Sequence, residues 1–168
     1  MNRRQSLYSL LGLSLLSLGG HRLASAADKA GPRLVKSRAE WAKLLPAAAY
    51  EVLFDEATER PGSSPLNQEK REGTYLCAAC FQPLFDSAAK YESGTGWPSF
   101  WQALPAAVAT RTDFKHILPR TEYHCSRCGG HQGHVFDDGP KPTGQRYCNN
   151  GVALQFVVRG APLPELRT

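Results

Sequence analysis

The 168-residue sequence has no internal repeat beyond two Cys-x-x-Cys pairs, and it has no low-complexity tract. Its N-terminal apolar run, Leu7 to Leu18, is interrupted by serine and glycine. That run is also shorter than the roughly 20 residues that a helix needs to cross a bilayer. These absences argue against a repeat array, a low-complexity chain and a membrane-spanning helix.

The first 26 residues have the pattern of an export signal. Arg3 and Arg4 precede the apolar run, and Ala24-Ser25-Ala26 follows it as a small-residue cleavage site. We expect cleavage after residue 26. The paired arginines resemble the twin-arginine signal of bacteria, which predicts export to the periplasm. An ordinary secretory signal and an uncleaved membrane anchor are the alternatives. Residues 27–36 are then a linker, and residues 37–168 are a single domain.

Little net positive charge remains outside this segment. The formal net charge of the whole chain is +5, but Arg3, Arg4 and Arg22 lie in the first 26 residues, which contain no acidic residue. The remaining 142 residues therefore carry a formal charge of +2. Such a small excess argues against a nucleic-acid-binding surface.

Cysteine is used sparingly, and its five copies fall into two groups. Cys77 and Cys80 form one Cys-x-x-Cys pair, Cys125 and Cys128 form a second, and Cys148 stands alone. Two pairs predict one structural zinc site with four thiolate ligands, clamping two segments that are 44 residues apart. Two disulfides or redox-active dithiols are the alternatives. Because a four-thiolate site has no open coordination position, Cys148 is the candidate for chemistry.

The predicted secondary structure is two short helices followed by strands. Ser37 with Glu40 three residues later is a capping box for the first helix, and the second helix is predicted from Ala47 to Phe54. Strands are predicted at residues 74–76, 83–85, 107–112, 114–118, 121–124 and 152–158.

A glycine-rich segment, residues 129–134, carries His131 and His134. Imidazoles can stabilise a thiolate by donating hydrogen bonds, and they can protonate a leaving oxygen near neutral pH, so both are candidates to act with Cys148. Arg146 would lie on the same strand face as Cys148 if that segment is extended. Solvent-exposed loop histidines or additional metal ligands are the alternatives.

Residues 94–101 combine glycine, proline and aromatic side chains, among them Trp97. Such a segment predicts a rigid apolar wall that could receive a small apolar group such as a methyl. A minor hydrophobic cluster beneath a long loop is the alternative.

Three of these segments and the paired cysteines occur together in one chain. The segments are Gly94–Phe100 (GTGWPSF), Gly130–Phe136 (GHQGHVF) and Arg146–Asn150 (RYCNN). With the Cys-x-x-Cys pairs, they resemble the B-type methionine sulfoxide reductases, which act on the R epimer of the sulfoxide. The resemblance covers roughly Ser37 to Val158.

The resemblance implies a mainly β fold: two small antiparallel sheets that lean together like a tent, with short N-terminal helices. It implies one structural zinc ion on the four paired cysteines, far from the active site, and no organic cofactor. Its implied substrates are oxidised proteins or peptides that carry methionine R-sulfoxide.

The resemblance also implies a role for each site residue. Cys148 matches the nucleophile, which attacks the sulfoxide sulfur and is left as a sulfenic acid. His131 and His134 match the pair that places water and protonates the sulfoxide oxygen. Asn150 matches a polar residue near the thiol, and Trp97 matches the wall that receives the methyl group.

This chain departs from the family pattern at a position where many members carry a resolving cysteine, because Thr95 stands there. With four cysteines assigned to zinc, an external thiol reductant, such as a thioredoxin-like protein, is expected to complete the cycle. Asn149 follows the nucleophile, and Gly151 stands where serine is frequent. We expect a monomer with no nucleic-acid partner. The alternatives are a zinc-ribbon binding module and a thiol peroxidase.

Overall fold

The computed structural model describes residues 33–115 and 118–168. The predicted export signal at residues 1–26, with the linker as far as residue 32, lies outside the described residues. Within the described ranges, no helix combines the length and the apolar character that crossing a membrane requires.

Two short helices precede the strands, as the sequence predicts. They are α1 (Arg38–Leu44) and α2 (Ala47–Asp55). Ser37 caps α1 through its hydroxyl, which accepts from the Glu40 N–H, and the Glu40 carboxylate accepts in return from the Ser37 N–H at 2.8 Å. Trp41 stacks on Phe54 with ring centroids 5.1 Å apart, so the apolar stripes of the two helices pack against each other.

In the described parts of the chain, nine strands form two antiparallel sheets, which confirms the predicted fold class. The smaller sheet has the order β2-β1-β9, and the larger sheet has the order β3-β4-β8-β7-β6-β5. The strands are β1 (Gly73–Cys77), β2 (Pro83–Asp86), β3 (Lys90–Tyr91), β4 (Ser99–Phe100), β5 (Val108–Asp113), β6 (Arg120–Cys125), β7 (His131–Phe136), β8 (Arg146–Asn149) and β9 (Leu154–Val158).

Aromatic side chains fill the space between the sheets. Phe85 of the smaller sheet stacks on Phe100 of the larger one at 4.2 Å, and its ring also meets Tyr123 and Tyr147 at 6.1 and 5.9 Å. Phe85, Phe100 and Tyr123 are fully buried. Aromatic pairs of this kind stabilise a core beyond their buried area, so this cluster fixes how the two sheets face each other.

One secondary-structure prediction is wrong, and strand β7 was not predicted. Strand β7 contains residues 131–134 and pairs along its two edges with β6 and β8. The predicted strand at 114–118 is absent from the described residues Phe114, Lys115 and Leu118. There the Asp113 carboxylate accepts from the Lys115 N–H at 2.9 Å, a local turn that ends β5.

Candidate active site

The two Cys-x-x-Cys pairs fold into matching turns. The N–H of Phe81 donates to the Cys77 carbonyl at 2.9 Å, and the N–H of Gly129 donates to the Cys125 carbonyl at the same distance. Phe81 and Gly129 also have positive φ angles, 64° and 73°, where the chain reverses. One turn ends β1 in the smaller sheet and the other ends β6 in the larger sheet, so the turns bring the two sheets together.

The four cysteines form one buried cluster of free thiols. The Sγ atoms of Cys77 and Cys128 are 3.6 Å apart, as are those of Cys80 and Cys125, and all four sulfurs lie within 4.8 Å of one another. These separations exclude disulfides among them, because an S–S bond is about 2.05 Å long. Four sulfurs at about 2.3 Å from one tetrahedral ion would be roughly 3.8 Å apart, so this donor set fits a thiophilic metal ion.

A buried amide links this cluster to the strand of the lone cysteine. Gln132 Nε2 donates to Cys77 Sγ at 3.5 Å, and Gln132 Oε1 accepts from Asn149 Nδ2 at 3.4 Å. Tyr123 then donates its hydroxyl to Asn149 Oδ1 at 2.6 Å. Asn149, the residue that follows Cys148, is therefore linked to the cysteine cluster through Gln132. The sequence analysis did not single out Gln132 or Tyr123.

Cys148 lies in β8 and opens into a small pocket of about 120 Å³. The pocket brings together four of the five predicted catalytic and substrate residues: Cys148, His134, Asn150 and Trp97. His131 lines the neighbouring cleft instead, which also contacts His134. The other residues lining the Cys148 pocket are Thr58, Arg120, Gly133, Phe136 and Asn149.

Glu59 holds the walls of this pocket, a role that the sequence analysis missed. Its backbone carbonyl accepts from Trp97 Nε1 at 3.2 Å, and its carboxylate accepts from the N–H groups of Gly151 and Val152. Asn150 Oδ1 accepts from the Glu59 N–H at 3.0 Å, and Asn150 Nδ2 donates to the Gln132 carbonyl at 3.0 Å. Asn150 therefore braces the loop that carries Glu59 against β7.

The packing around Gly151 leaves no room for a side chain. A Cβ atom built at Gly151 would lie 1.9 Å from Ser64 Oγ and 2.4 Å from Ser64 Cβ, so any side chain there requires the loop to move. In this chain, Ser64 fills the space that a side chain at position 151 would occupy.

A β-bulge determines where the two histidines point. In a regular strand, residues i and i+3 face opposite sides of the sheet. Here Gly133 pairs with Tyr123 while His131 pairs with His124, so β7 carries Gln132 as an extra residue. The bulge brings both imidazoles to one face, with ring centroids 5.5 Å apart.

Each imidazole is bound to a carboxylate. His131 Nδ1 and Glu122 Oε1 are 2.7 Å apart, and His134 Nε2 and Asp113 Oδ2 are 2.8 Å apart. His131 and Glu122 are buried, which excludes the alternative of a solvent-exposed loop histidine at position 131. Desolvation lowers the pKa of His134 below its ordinary value, against the opposing effect of its hydrogen bond to Asp113.

Burial and positive charge have opposite effects on the pKa of Cys148. Burial raises the pKa of the Cys148 thiol, while the charge of Arg146 and hydrogen bonds from Thr95 and Arg146 act in the opposite direction. Arg146 is held rigidly, because Asp138 accepts from its Nε and Nη2 at 2.7 and 2.8 Å. The segment is extended, as β8, so Arg146 and Cys148 lie on the same strand face as predicted.

Thr95 lies next to the Cys148 thiol, to which its side chain hydrogen-bonds. Its hydroxyl is 2.8 Å from Ser93 Oγ, which is in turn 2.8 Å from Ser99 Oγ. Ser99 pairs directly with Cys148 between β4 and β8. The loop of residue 95 is therefore tied by hydrogen bonds to the strand beside the nucleophile.

These features define a class of protein: a two-sheet β fold with a buried four-thiol cluster and a separate lone cysteine in a histidine-lined pocket. The family model described as "SelR domain" matches residues 45–158, and the chain belongs to this family.

Curated relatives cover most of the described fold. A relative from Methanosarcina barkeri (strain Fusaro) is 52% identical over 122 residues, which are 72% of this chain and 86% of that protein. Relatives from Methanosarcina mazei and Agrobacterium fabrum are 50% and 45% identical, over 74% and 77% of this chain and 90% and 96% of theirs. All three are called "Peptide methionine sulfoxide reductase MsrB". A solved structure, the Mis18 'Yippee-like' domain, aligns at a TM-score of 0.42 with 21% identity, over 54% of this chain and all of that one.

Proposed function

We propose that Cys148 carries out the reaction of this enzyme. As a member of its family, the chain is a peptide-methionine (R)-S-oxide reductase, an oxidoreductase that acts on methionine sulfoxide in proteins. The observation that supports Cys148 as the reacting group is its position. Among the five cysteines it alone lies outside the buried cluster, and it opens into the pocket that contains Trp97 and His134.

In this proposal the pocket orients the sulfoxide before the chemistry begins. The Trp97 ring is held in place by the bond from its Nε1 to Glu59, and it receives the methyl group. The sulfoxide sulfur then faces Cys148 Sγ, and its oxygen faces His134. The Asn150 side chain shapes the floor of the pocket through its hydrogen bonds to the backbone of Glu59 and Gln132.

The Cys148 thiolate attacks the sulfoxide sulfur while His134 delivers a proton to the oxygen, with His131 behind it. The attack forms a bond between Cys148 Sγ and the sulfoxide sulfur, and the protonated oxygen leaves as the sulfur–oxygen bond breaks. Water then attacks Cys148 Sγ, the sulfur–sulfur bond breaks, and the products are the thioether and the sulfenic acid of Cys148. Arg146 favours the thiolate, because its charge opposes the effect of burial on the Cys148 pKa.

An external thiol completes the cycle in this proposal. Thr95 replaces the resolving cysteine, and the other four thiols lie together in the buried cluster. Two thiol equivalents from a reductant convert the sulfenic acid to the thiol and release water, while the reductant becomes a disulfide. A thioredoxin-like protein has the required dithiol chemistry.

Zinc is the metal that we propose for the cluster of Cys77, Cys80, Cys125 and Cys128. The thiolate donor set, the matching turns and the sulfur separations all suit a tetrahedral Zn²⁺ ion. When bound, the ion neutralises the packed thiolates and links the ends of β1 and β6. Its four protein ligands leave no coordination position for a substrate.

We further propose that residues 1–26 direct export to the bacterial periplasm by the twin-arginine route, and that residues 37–168 act as one monomeric domain. Support comes from Arg3 and Arg4 before the apolar run and from the single core shared by both sheets. Precursor retained in the cytoplasm after Arg3→Lys and Arg4→Lys would support this route, and unchanged periplasmic activity would contradict it.

The activity is tested by turnover of the two separated epimers of a methionine sulfoxide peptide, with dithiothreitol as reductant. We expect reduction of the R epimer only, and we expect the mass of the Cys148 peptide to increase when the reductant is left out. Turnover of the S epimer at a similar rate would contradict the proposed specificity. Hydrogen peroxide reacting faster than the R sulfoxide would favour a thiol peroxidase.

A further inference from the structure

Two acidic residues that the sequence analysis did not single out lie directly behind the histidines. Asp113 ends β5, and Glu122 lies within β6. Strand pairing places Arg111 opposite Glu122, Glu122 opposite His134, and His134 opposite Cys148. Directly paired residues project from the same face of a sheet. The nucleophile, an imidazole and a carboxylate therefore follow one another across neighbouring strands.

Glu122 is a buried carboxylate whose neighbours compensate its charge. Its side chain is only 3% exposed. Burial alone would raise the pKa of Glu122, but hydrogen bonds to His124 and His131 and the charges of His131 and Arg111 hold it below its ordinary value. Arg111 reaches this carboxylate through Nε and binds Glu56, just beyond α2, through Nη2. An ionised carboxylate can only accept a hydrogen bond, so the Nδ1 atom of His131 carries a proton.

Asp113 holds His134 in the same way from the end of β5. Its carboxylate accepts from the Lys115 N–H at 2.9 Å, from His134 Nε2 at 2.8 Å and from Arg120 Nη2 at 3.0 Å. The Lys115 N–H and the bond to His134 hold the pKa of Asp113 well below its ordinary value. His134 therefore carries a proton on Nε2, and Nδ1 is the ring atom left to exchange a proton with the pocket.

We propose that Asp113 and Glu122 are positioning residues, which set the tautomer and orientation of His134 and His131 and so direct the proton of His134 toward the bound sulfoxide. This inference rests on the proposed function of Cys148 and His134. Neither carboxylate touches the substrate, and each acts through its imidazole. A buried histidine with both ring nitrogens free could populate either tautomer, and only one of them presents the required nitrogen to the pocket.

The pH dependence follows from the groups that face His134. These are Asp113 on β5, Arg120 and Glu122 on β6, His131 on β7 and Cys148 on β8. The hydrogen bond to Asp113 raises the pKa of His134, whereas burial and the charges of Arg120 and His131 lower it. Removing the Asp113 charge therefore lowers the pKa of His134, so the protonated acid is lost at a lower pH.

The test compares Asp113→Asn and Glu122→Gln with the wild-type enzyme on the R-sulfoxide peptide. We expect kcat to fall by roughly 10- to 100-fold, with KM changed by less than about twofold, since a proton donor acts mainly in the transition state. The alkaline decline of kcat should begin at lower pH in Asp113→Asn, and Asp113→Glu should recover part of the loss. Asp137→Asn removes an exposed carboxylate just beyond β7 and serves as the charge-matched control.

A second measurement does not depend on turnover. In ¹⁵N spectra of the imidazoles, neutral His134 should be the Nε2–H tautomer and neutral His131 the Nδ1–H tautomer. Asp113→Asn should give His134 a mixture of tautomers.

Unchanged kcat and pH profile in Asp113→Asn, in an active wild-type background, would overturn this inference. So would the opposite tautomer of His134. A wild-type enzyme that does not reduce the sulfoxide would instead contradict the proposed function.

Discussion

The chain contains the same thiol group in two environments that favour opposite chemistry. Around the four paired cysteines, the main neighbours of each sulfur are other sulfurs, at separations as short as 3.6 Å and away from solvent. Around Cys148 the neighbours are a guanidinium, a hydroxyl and an open pocket. Packed thiolates need a metal ion to neutralise them, whereas a lone thiolate next to a cation is free to attack.

The two regions differ in the secondary structure that presents the cysteines. The paired cysteines lie at strand ends and in tight turns, where four side chains can converge on one point. Cys148 lies within a paired strand, where its neighbours β4 and β7 fix its direction. Gln132 connects the two regions through hydrogen bonds to Cys77 in one and to Asn149 in the other. We therefore expect substitutions to separate the two roles.

The largest effect is expected for Cys148→Ser. The serine hydroxyl has a far higher pKa than the thiol and is a much weaker nucleophile toward sulfur, so turnover should fall by several orders of magnitude. Zinc content and melting temperature should stay at the wild-type values. Appreciable R-sulfoxide reduction by the purified serine variant would show that Cys148 is not the nucleophile.

Cys125→Ser should affect folding first. Loss of one ligand leaves the other three thiols of the cluster without a complete tetrahedral site, and metal binding is part of the folding free energy of such sites. We expect the zinc content to fall below one ion per chain and the melting temperature to drop by at least roughly 10 °C. Metal analysis and calorimetry provide the readout, with Cys148→Ser as the matched control. A variant that is stable without metal would show that the cluster is not a structural metal site.

Thr95→Cys should change the fate of the oxidised nucleophile. The mass of the wild-type protein should rise by about 16 Da after one turnover without reductant, because Cys148 stops at the sulfenic acid. A thiol at position 95, next to Cys148, should instead condense with it to form a disulfide. Thr110→Cys on the exposed part of β5 is the control and should keep the sulfenic acid. A disulfide between Cys148 and a cluster cysteine in the unmodified protein would contradict the separation of roles.

The smallest effect is expected for Arg146→Met, and it concerns the pH profile. Burial raises the pKa of Cys148 and the Arg146 charge lowers it, so removal of that charge should raise the pKa further. Alkylation of Cys148 by iodoacetamide, followed by mass spectrometry, should then begin at higher pH than in the wild type. Arg159→Met, in an exposed ion pair beyond β9, is the control. If the alkylation of Cys148 in Arg146→Met has the same pH dependence as in the wild type, Arg146 does not stabilise the thiolate.

Local patterns in the sequence were sufficient for several features. Ser37 and Glu40 predicted the start of α1, because a capping box involves only neighbouring residues. The Cys-x-x-Cys spacing predicted the four-thiol cluster for a similar reason, since each pair is presented by its own turn. The lone Cys148 followed by elimination. The family resemblance supplied Trp97 and Asn150, both of which line the same pocket as Cys148.

Other features depend on contacts between distant segments, and only the tertiary structure decided them. The spacing of His131 and His134 would place them on opposite faces of a regular strand, but the bulge at Gln132 turns both to one face. Asp113 and Glu122 meet these rings only because β5, β6 and β7 pair in one register. The sequence alone gives the chemical type of each site residue. Which side chain that residue contacts depends on strand register, and register arises from packing across the whole sheet.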